Sequence, residues 1–278
     1  MQLHTINTGM FKLDGGAMFG VVPKSIWNKL NPADENNLCS WAMRCLLVED
    51  GNRLVLIDNG IGDKQDAKFM GHYHLHGDDT LDKSLASAGF SKDDITDVFL
   101  THLHFDHCGG SIVRDGDKLV PAFRNATYWS NQRHWNWAVK PNDREKASFL
   151  KENILPIQES GQLKFIENAA DQFPEQLAVR QVFGHTEAMM LPMVKYKGKT
   201  IIYMADLLPS AAHIPLPYVM AYDMFPLTTL NEKKSFLQEA LENEYVLYFE
   251  HDPGIECCTL QLTEKGIRVK ETFKLDSI

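Results

Sequence analysis

Long apolar runs, basic clusters, a leader-like pattern in the first residues and an even set of cysteines are not found in this 278-residue sequence. No stretch of 18 apolar residues occurs, so nothing reads as a membrane-spanning helix. The formal charge is -9 and basic residues pair only in isolation, as at Lys233-Lys234. A nucleic-acid binder carries a basic stripe to neutralise phosphates, so no nucleic-acid partner is expected. The start, MQLHTINTGMFKLDGGAMFG, has no positive region followed by an apolar one and does not read as a signal peptide. The cysteines number five, and only Cys257 and Cys258 are adjacent. That pattern suits a reduced, cytoplasmic protein and excludes a disulfide scaffold. Repeats, low-complexity linkers and like-charge blocks are absent too, so one domain over residues 1–278 is expected.

What is present is an ordinary globular composition, 44% hydrophobic and 23% charged. Short apolar runs end abruptly in residues that can bind metal. RLVLID ends at Asp58, and DVFLTHLH, starting at Asp97, runs into His102 and His104. AVRQVFGH ends at His185, TIIYMAD at Asp206 and YVLYFEH at His251. Such runs suit buried strands. Helical patterns alternate with them. Leu81, Leu85 and Ala88 share a face that Gly89 is placed to end. Residues 142–159 are polar and helix-prone, and Thr229 and Glu232 have capping-box spacing ahead of Phe236 and Leu237. The class is therefore α/β, with polar residues collected where strands end.

The chemistry centres on THLHFDHCGG, Thr101 to Gly110. His102 and His104 are two apart, so at a strand end they would point to one side. Asp106 and His107 follow on the turn, and Gly109-Gly110 permit unusual backbone angles. Imidazole and carboxylate donors at this density suit zinc or a similar divalent ion. A chance cluster of surface histidines is the bland alternative; the further strand-end candidates His185, Asp206 and His251 weigh against it.

HxHxDH followed by a His, an Asp and a His at strand ends resembles the metallo-β-lactamase superfamily. The resemblance covers nearly the whole chain and implies a four-layer αββα sandwich. It implies two divalent ions per chain, zinc foremost. His102, His104 and His185 would hold the first, Asp106, His107 and His251 the second, and Asp206 would bridge them. Asp58 would orient a ligand histidine. Within the superfamily, Glu at position 104 would indicate di-iron oxygen chemistry, and His there favours hydrolysis. A glyoxalase II would need a helical domain where only 27 residues follow His251. The acidic charge disfavours tRNA-processing nucleases, and β-lactamases are usually exported.

DGGAMFGVVPKSIW, PNDREKASFLKENILP and ADLLPSAAHIPLPYVMAYD are similar to the branch of N-acyl-homoserine lactonases and methyl parathion hydrolase. GHTEAMM stands where that branch usually has GHTPGH. Leu207-Leu208-Pro209 stand where well-known homoserine lactonases have a Tyr. The resemblance implies a quorum-quenching lactonase acting through a hydroxide shared by two metals, with Asp106 as the catalytic proton shuttle. A phosphotriesterase or other activated-ester hydrolase is the alternative. The partner is then a small ester or lactone, and a homodimer is open to the chain. A non-catalytic binding module is the competing class, and a complete ligand set argues against it.

Other features read more blandly. His72, His74 and His76 suit a polar loop, with a place at a pocket mouth as the alternative. His134 and His213 read as ordinary, with substrate-facing as the alternative for His213. Trp129, Trp135 and Trp137 suit packing more than binding. Met10, Phe11, Met18 and Phe19 flank Gly15-Gly16 in an expected N-terminal hairpin, as substrate wall or as packing. Phe105 and Phe225 are further wall candidates, and Cys108 reads as a small buried residue.

Overall fold

The computed structural model describes residues 1–168 and 177–278. The chain begins with strand β1 (Gln2–Asp14), helices α1 (Gly15–Phe19) and α2 (Lys24–Trp27), and strands β2 (Leu38–Asp50) and β3 (Arg53–Ile57). Helices α3 (Ala67–Gly71) and α4 (Leu81–Ser87) lead to β4 (Asp97–Phe99) and α5 (Phe105–Cys108). A small hairpin, β5 (Ile112–Asp115) with β6 (Lys118–Pro121), precedes β7 (Thr127–Ser130). Next come α6 (Gln132–Ala138), α7 (Lys151–Glu159) and β8 (Leu163–Phe165). The rest is β9 (Leu177–Val182), β10 (Met189–Tyr196), β11 (Lys199–Tyr203), α8 (Pro226–Glu242), β12 (Val246–Tyr248), β13 (Cys257–Thr263) and β14 (Gly266–Phe273). Larger sheets run β1-β2-β3-β4-β7-β8 and β14-β13-β12-β11-β10-β9.

The chain divides into two compact units. Unit 1 is Met1–Gly9, Met43–His72 and His76–Glu175; unit 2 is Met10–Ala42, Tyr73–Leu75 and Gln176–Ile278.

In unit 1, β3, β4, β7 and β8 are parallel neighbours, with Ile57 opposite Phe99 and Phe99 opposite Trp129. Parallel strands are covered on both faces, which is why RLVLI and DVF read as nearly unbroken apolar runs. Leu47, Leu56, Val98 and Leu100 pack with Leu85, Trp135, Ile154 and Ile157 from the helices. Because β3 and β4 are parallel and in step, Asp58 and the segment from Leu100 leave the sheet at the same end. Parallel α/β sheets build their sites at the carboxyl ends of strands.

Unit 2 uses the same device once. Strands β11 and β12 are parallel, with Tyr203 opposite Tyr248, so Asp206 and His251 emerge together. His185 lies in the loop between antiparallel β9 and β10, whose pairing closes at Val182 and Met189.

Local structure departs from the sequence reading in several places. Strand β4 stops at Phe99, so His102 and His104 sit on a loop, with His104 the N-cap of α5. Helix α8 starts earlier than the capping-box spacing suggests, with Pro226 in its first turn, so Thr229 lies inside the helix. The Glu232 carboxylate instead accepts from Phe183 N at 2.7 Å and Gly184 N at 3.0 Å. Within 142–159 only Lys151–Glu159 is α-helical, because Asn142 Oδ1 accepts from Arg144 N and Glu145 N and holds a turn there. Gly15 and Gly16 open α1 and form no hairpin turn; a Cβ on Gly15 would lie 2.4 Å from the Trp27 ring.

Candidate metal centre

In unit 1 the loop after β4 carries His102, His104, Asp106 and His107, all buried. His102 Nε2 lies 3.0 Å from His104 Nδ1, and His107 Nε2 lies 3.7 Å from Asp106 Oδ2. Asp58, at the end of β3 with φ of 55°, organises this loop. Its carboxylate accepts from Thr101 N at 2.8 Å and Thr101 Oγ1 at 2.7 Å, and meets His107 Nδ1 at 3.1 Å. The expected orienting role of Asp58 therefore falls on His107.

For neutral imidazoles, these contacts assign the ring protons. Thr101 Oγ1 spends its proton on Asp58, so it can only accept from His102 Nδ1, 3.1 Å away. His104 Nε2 faces the Glu145 carboxylate at 3.0 Å, an acceptor, and so carries its proton on that side. His102 Nε2 and His104 Nδ1 then confront each other as two lone pairs at 3.0 Å. Two inward lone pairs repel unless a cation lies against both, so the donor set fits a metal ion.

Gly109 and Gly110 are needed for contact, with no unusual backbone angle; φ at Gly109 is -61°. A Cβ on Gly109 would sit 2.0 Å from Ile61 O, and one on Gly110 2.3 Å from Asn59 O. The ammonium of Lys64 donates to Gly109 O at 2.5 Å, and burial pushes its pKa down to about 8. Cys108 is fully buried, its thiol pushed up to about 12 by burial. His134 has a part that sequence did not disclose. Its Nε2 accepts from Leu103 N at 2.9 Å and so pins the backbone between His102 and His104.

In unit 2, Asp206 stands between two histidines. Its Oδ2 is 3.1 Å from His185 Nε2 and its Oδ1 3.3 Å from His251 Nε2. The far nitrogens are also held. His185 Nδ1 meets Asp223 at 2.9 Å, and His251 Nδ1 donates to Ala42 O at 2.7 Å. Burial lowers the pKa of His185, but the carboxylates of Asp206 and Asp223 outweigh it and raise it to about 10. A positive charge is thus favoured where Asp206 and His185 meet, which a metal ion would also satisfy. Ligand atoms of His102 with His104, of Asp106 with His107, and of His185 with Asp206 lie within 4.8 Å of one another.

Glu145 and Asp223 were not legible as site residues; both lie in segments similar to lactonases, but neither has ligand-like spacing there. His213 is buried and accounted for. It stacks on Phe19 at 4.7 Å, and its nitrogens meet Ser210 Oγ at 2.8 Å and Met18 O at 2.9 Å. Burial pushes its pKa down to about 3, so it is a neutral packing residue. Phe19 is sandwiched between His213 and Trp27, which removes it and the buried Met18 as exposed walls. Phe11 is buried as well, 5.5 Å from the His251 ring, and Phe105 meets Phe69 edge-on at 5.4 Å. Trp129 and Trp135 are buried, as packing requires. His72, His74 and His76 are exposed, in keeping with a polar loop.

The family model of the metallo-β-lactamase superfamily matches residues 44–251. No curated protein matches the chain. Among solved structures, a probable metal-dependent hydrolase from Staphylococcus aureus is 27% identical, with a TM-score of 0.88 over 100% of this chain and 98% of its own. AidC, a dizinc quorum-quenching lactonase solved with the product N-hexnoyl-L-homoserine, is 22% identical. It has a TM-score of 0.79 over 98% of this chain and 94% of its own. The hydrolase AbOPH is 21% identical, with a TM-score of 0.76 over 96% of this chain and 93% of its own. At such identities these last two likenesses speak for the fold alone. The metal-binding motif, the two six-stranded sheets and the family match agree: the chain has the metallo-β-lactamase fold and belongs to the metallo-β-lactamase superfamily.

Proposed function

We propose that this chain is a binuclear metallohydrolase that opens lactones of the N-acyl-homoserine type, with the whole chain acting as one hydrolase. His102, His104 and His185 would hold one ion, Asp106, His107 and His251 the other, and Asp206 would serve both. The observation that carries the metal reading is His102 Nε2 facing His104 Nδ1 at 3.0 Å, with the other nitrogen of each ring held by an outer partner. Seven donors exceed what one tetrahedral ion takes, and imidazole with carboxylate favours zinc. When bound, such ions supply a hydroxide nucleophile near neutral pH and positive charge against a developing oxyanion.

The chain's own residues do the rest. Asp58, Glu145 and Asp223 keep His107, His104 and His185 in the tautomer that offers a lone pair inward. Asp106 is the proposed catalytic residue, its carboxylate taking the nucleophile's proton and returning it to the departing alkoxide oxygen. Phe225 is 43% exposed, and its N–H donates to Gly184 O, beside His185. That position suits an aromatic surface for an acyl tail, worth ~0.8 kcal/mol per buried CH₂. The lactone assignment is further supported by three segments similar to lactonases and by what AidC is described as doing.

The experiment is acid release by metal-reconstituted protein from acyl-homoserine lactones of increasing chain length, beside phosphotriesters, thioesters and β-lactams. Turnover of lactones, with KM falling as the chain grows, is expected. Turnover of a phosphotriester with no lactone opened would replace the substrate assignment. A metal content that cannot be raised to two would remove the binuclear one.

A further inference from the structure

Glu145 is 1% exposed, yet it belongs to neither the ligand motif nor any strand end. Its Oε1 lies 3.0 Å from His104 Nε2. Its Oε2 accepts from Trp137 Nε1 at 2.6 Å and from Asn142 Nδ2 at 3.3 Å. The same Asn142 uses its Oδ1 on Glu145 N at 3.1 Å, which fixes where the acid starts. The segment is tied to the histidine loop by Phe105 N donating to Ser148 O at 3.0 Å, and the Phe149 ring lies 4.8 Å from that of His104.

An indole N–H can only donate, and His104 must keep its proton on Nε2 if Nδ1 is to face His102. The residue between them must therefore offer an acceptor oxygen to each side, which a carboxylate does and an amide cannot. We infer that Glu145 is a positioning residue that commits His104 to binding metal through Nδ1 and strengthens that bond, and that Trp137 shares its carboxylate. This rests on the metal-centre reading above. A carboxylate behind an imidazole makes the opposite nitrogen a stronger donor, and the negative charge of Glu145 is offset by a cation across the ring.

The test measures zinc affinity by chelator competition, and the visible absorption of cobalt-loaded protein, in wild type, E145Q, W137F and the double variant. Failure of wild type to load metal would bring down the metal-centre reading together with this inference. In a wild type that loads, E145Q is expected to lose affinity by about 10–100-fold and to shift the cobalt bands, while W137F stays near wild type. The double variant should regain part of the loss, because the amide oxygen can turn to His104 once the shorter of the two opposing donors, the Trp137 indole at 2.6 Å, is gone and only Asn142 Nδ2 at 3.3 Å is left. Wild-type affinity and spectrum in E145Q, or a double variant no tighter than E145Q, overturns the inference. Should E145Q fail to fold, zinc titration of wild type replaces it. Tryptophan emission should then change, and most of the change should vanish in W137F. No change, or one that survives in W137F, overturns it equally.

Discussion

Asp58 and Thr101 are joined twice, Oδ1 to the backbone N–H at 2.8 Å and Oδ2 to the hydroxyl at 2.7 Å. The paired hydrogen bonds matter beyond the two residues, because they decide that Thr101 accepts from His102 and leave Asp58 Oδ2 shared with His107. A single carboxylate thereby sets the tautomers of two histidines.

Asp58→Asn isolates that effect. The φ of 55° at this position is one that Asn tolerates, so the backbone should survive. An amide cannot accept from all three donors, and one buried N–H or O–H loses its partner. Stability should fall by about 1–3 kcal/mol in urea titration, and metal affinity by about 10–100-fold in chelator competition. Both quantities unchanged would remove Asp58 from the account.

Asp106→Asn separates rate from binding. The amide keeps the shape of Asp106 but takes no proton. In metal-replete protein kcat should fall at least ~10²-fold, more than KM rises. Near-wild-type turnover would place the proton shuttle elsewhere.

Asp206→Ala removes the carboxylate standing between His185 and His251. If Asp206 serves both ions, elemental analysis should find both occupancies lowered. Loss of one ion alone would make Asp206 a ligand of that ion only.

Lys233 predicts a pH dependence of stability. It is fully buried, and its ammonium donates to Tyr218 O at 2.6 Å, Pro215 O at 3.2 Å and Leu216 O at 3.4 Å. Burial pushes its pKa down to about 7, against roughly 10.4 in an unfolded chain. Between those values the unfolded chain holds the proton and the folded one does not. Stability should therefore rise with pH through this window and be flat, for this group, below it. In urea titrations at pH ~7 and ~9.5, Lys233→Met should show a smaller rise than wild type. Lys64, pushed down to about 8, accounts for a residual slope. Equal rises in the two proteins would contradict the assignment.

The ligand motif and the strands that carry it were legible in sequence because both obey short-range rules. RLVLI and TIIY are apolar because both faces of a parallel strand are covered, and a ligand at the strand end interrupts the run within a few residues. Glu145 and Asp223 were not legible, since each reaches its histidine from 41 and 38 residues away in a segment without period. Thr229 and Glu232 misled for a related reason. Their spacing satisfies a local rule, but tertiary contact wins: Glu232 caps the backbone at Phe183 and Gly184, which sequence does not place beside it. The glycine pair was found for the wrong cause, because close approach of Ile61 and Asn59 leaves no mark in composition.

The burial of every cysteine has a practical consequence for handling the protein. Cys39, Cys45, Cys108, Cys257 and Cys258 all lie inside, and burial pushes the thiols of Cys39, Cys108 and Cys258 up to about 11, 12 and 12. Alkylating reagents attack thiolates, so the native molecule is a poor target while any opened molecule is marked at once and permanently. Accumulated label therefore counts opening events over time. Since Cys108 is in unit 1 and Cys257 and Cys258 are in unit 2, the order in which they are modified tells which unit opens first.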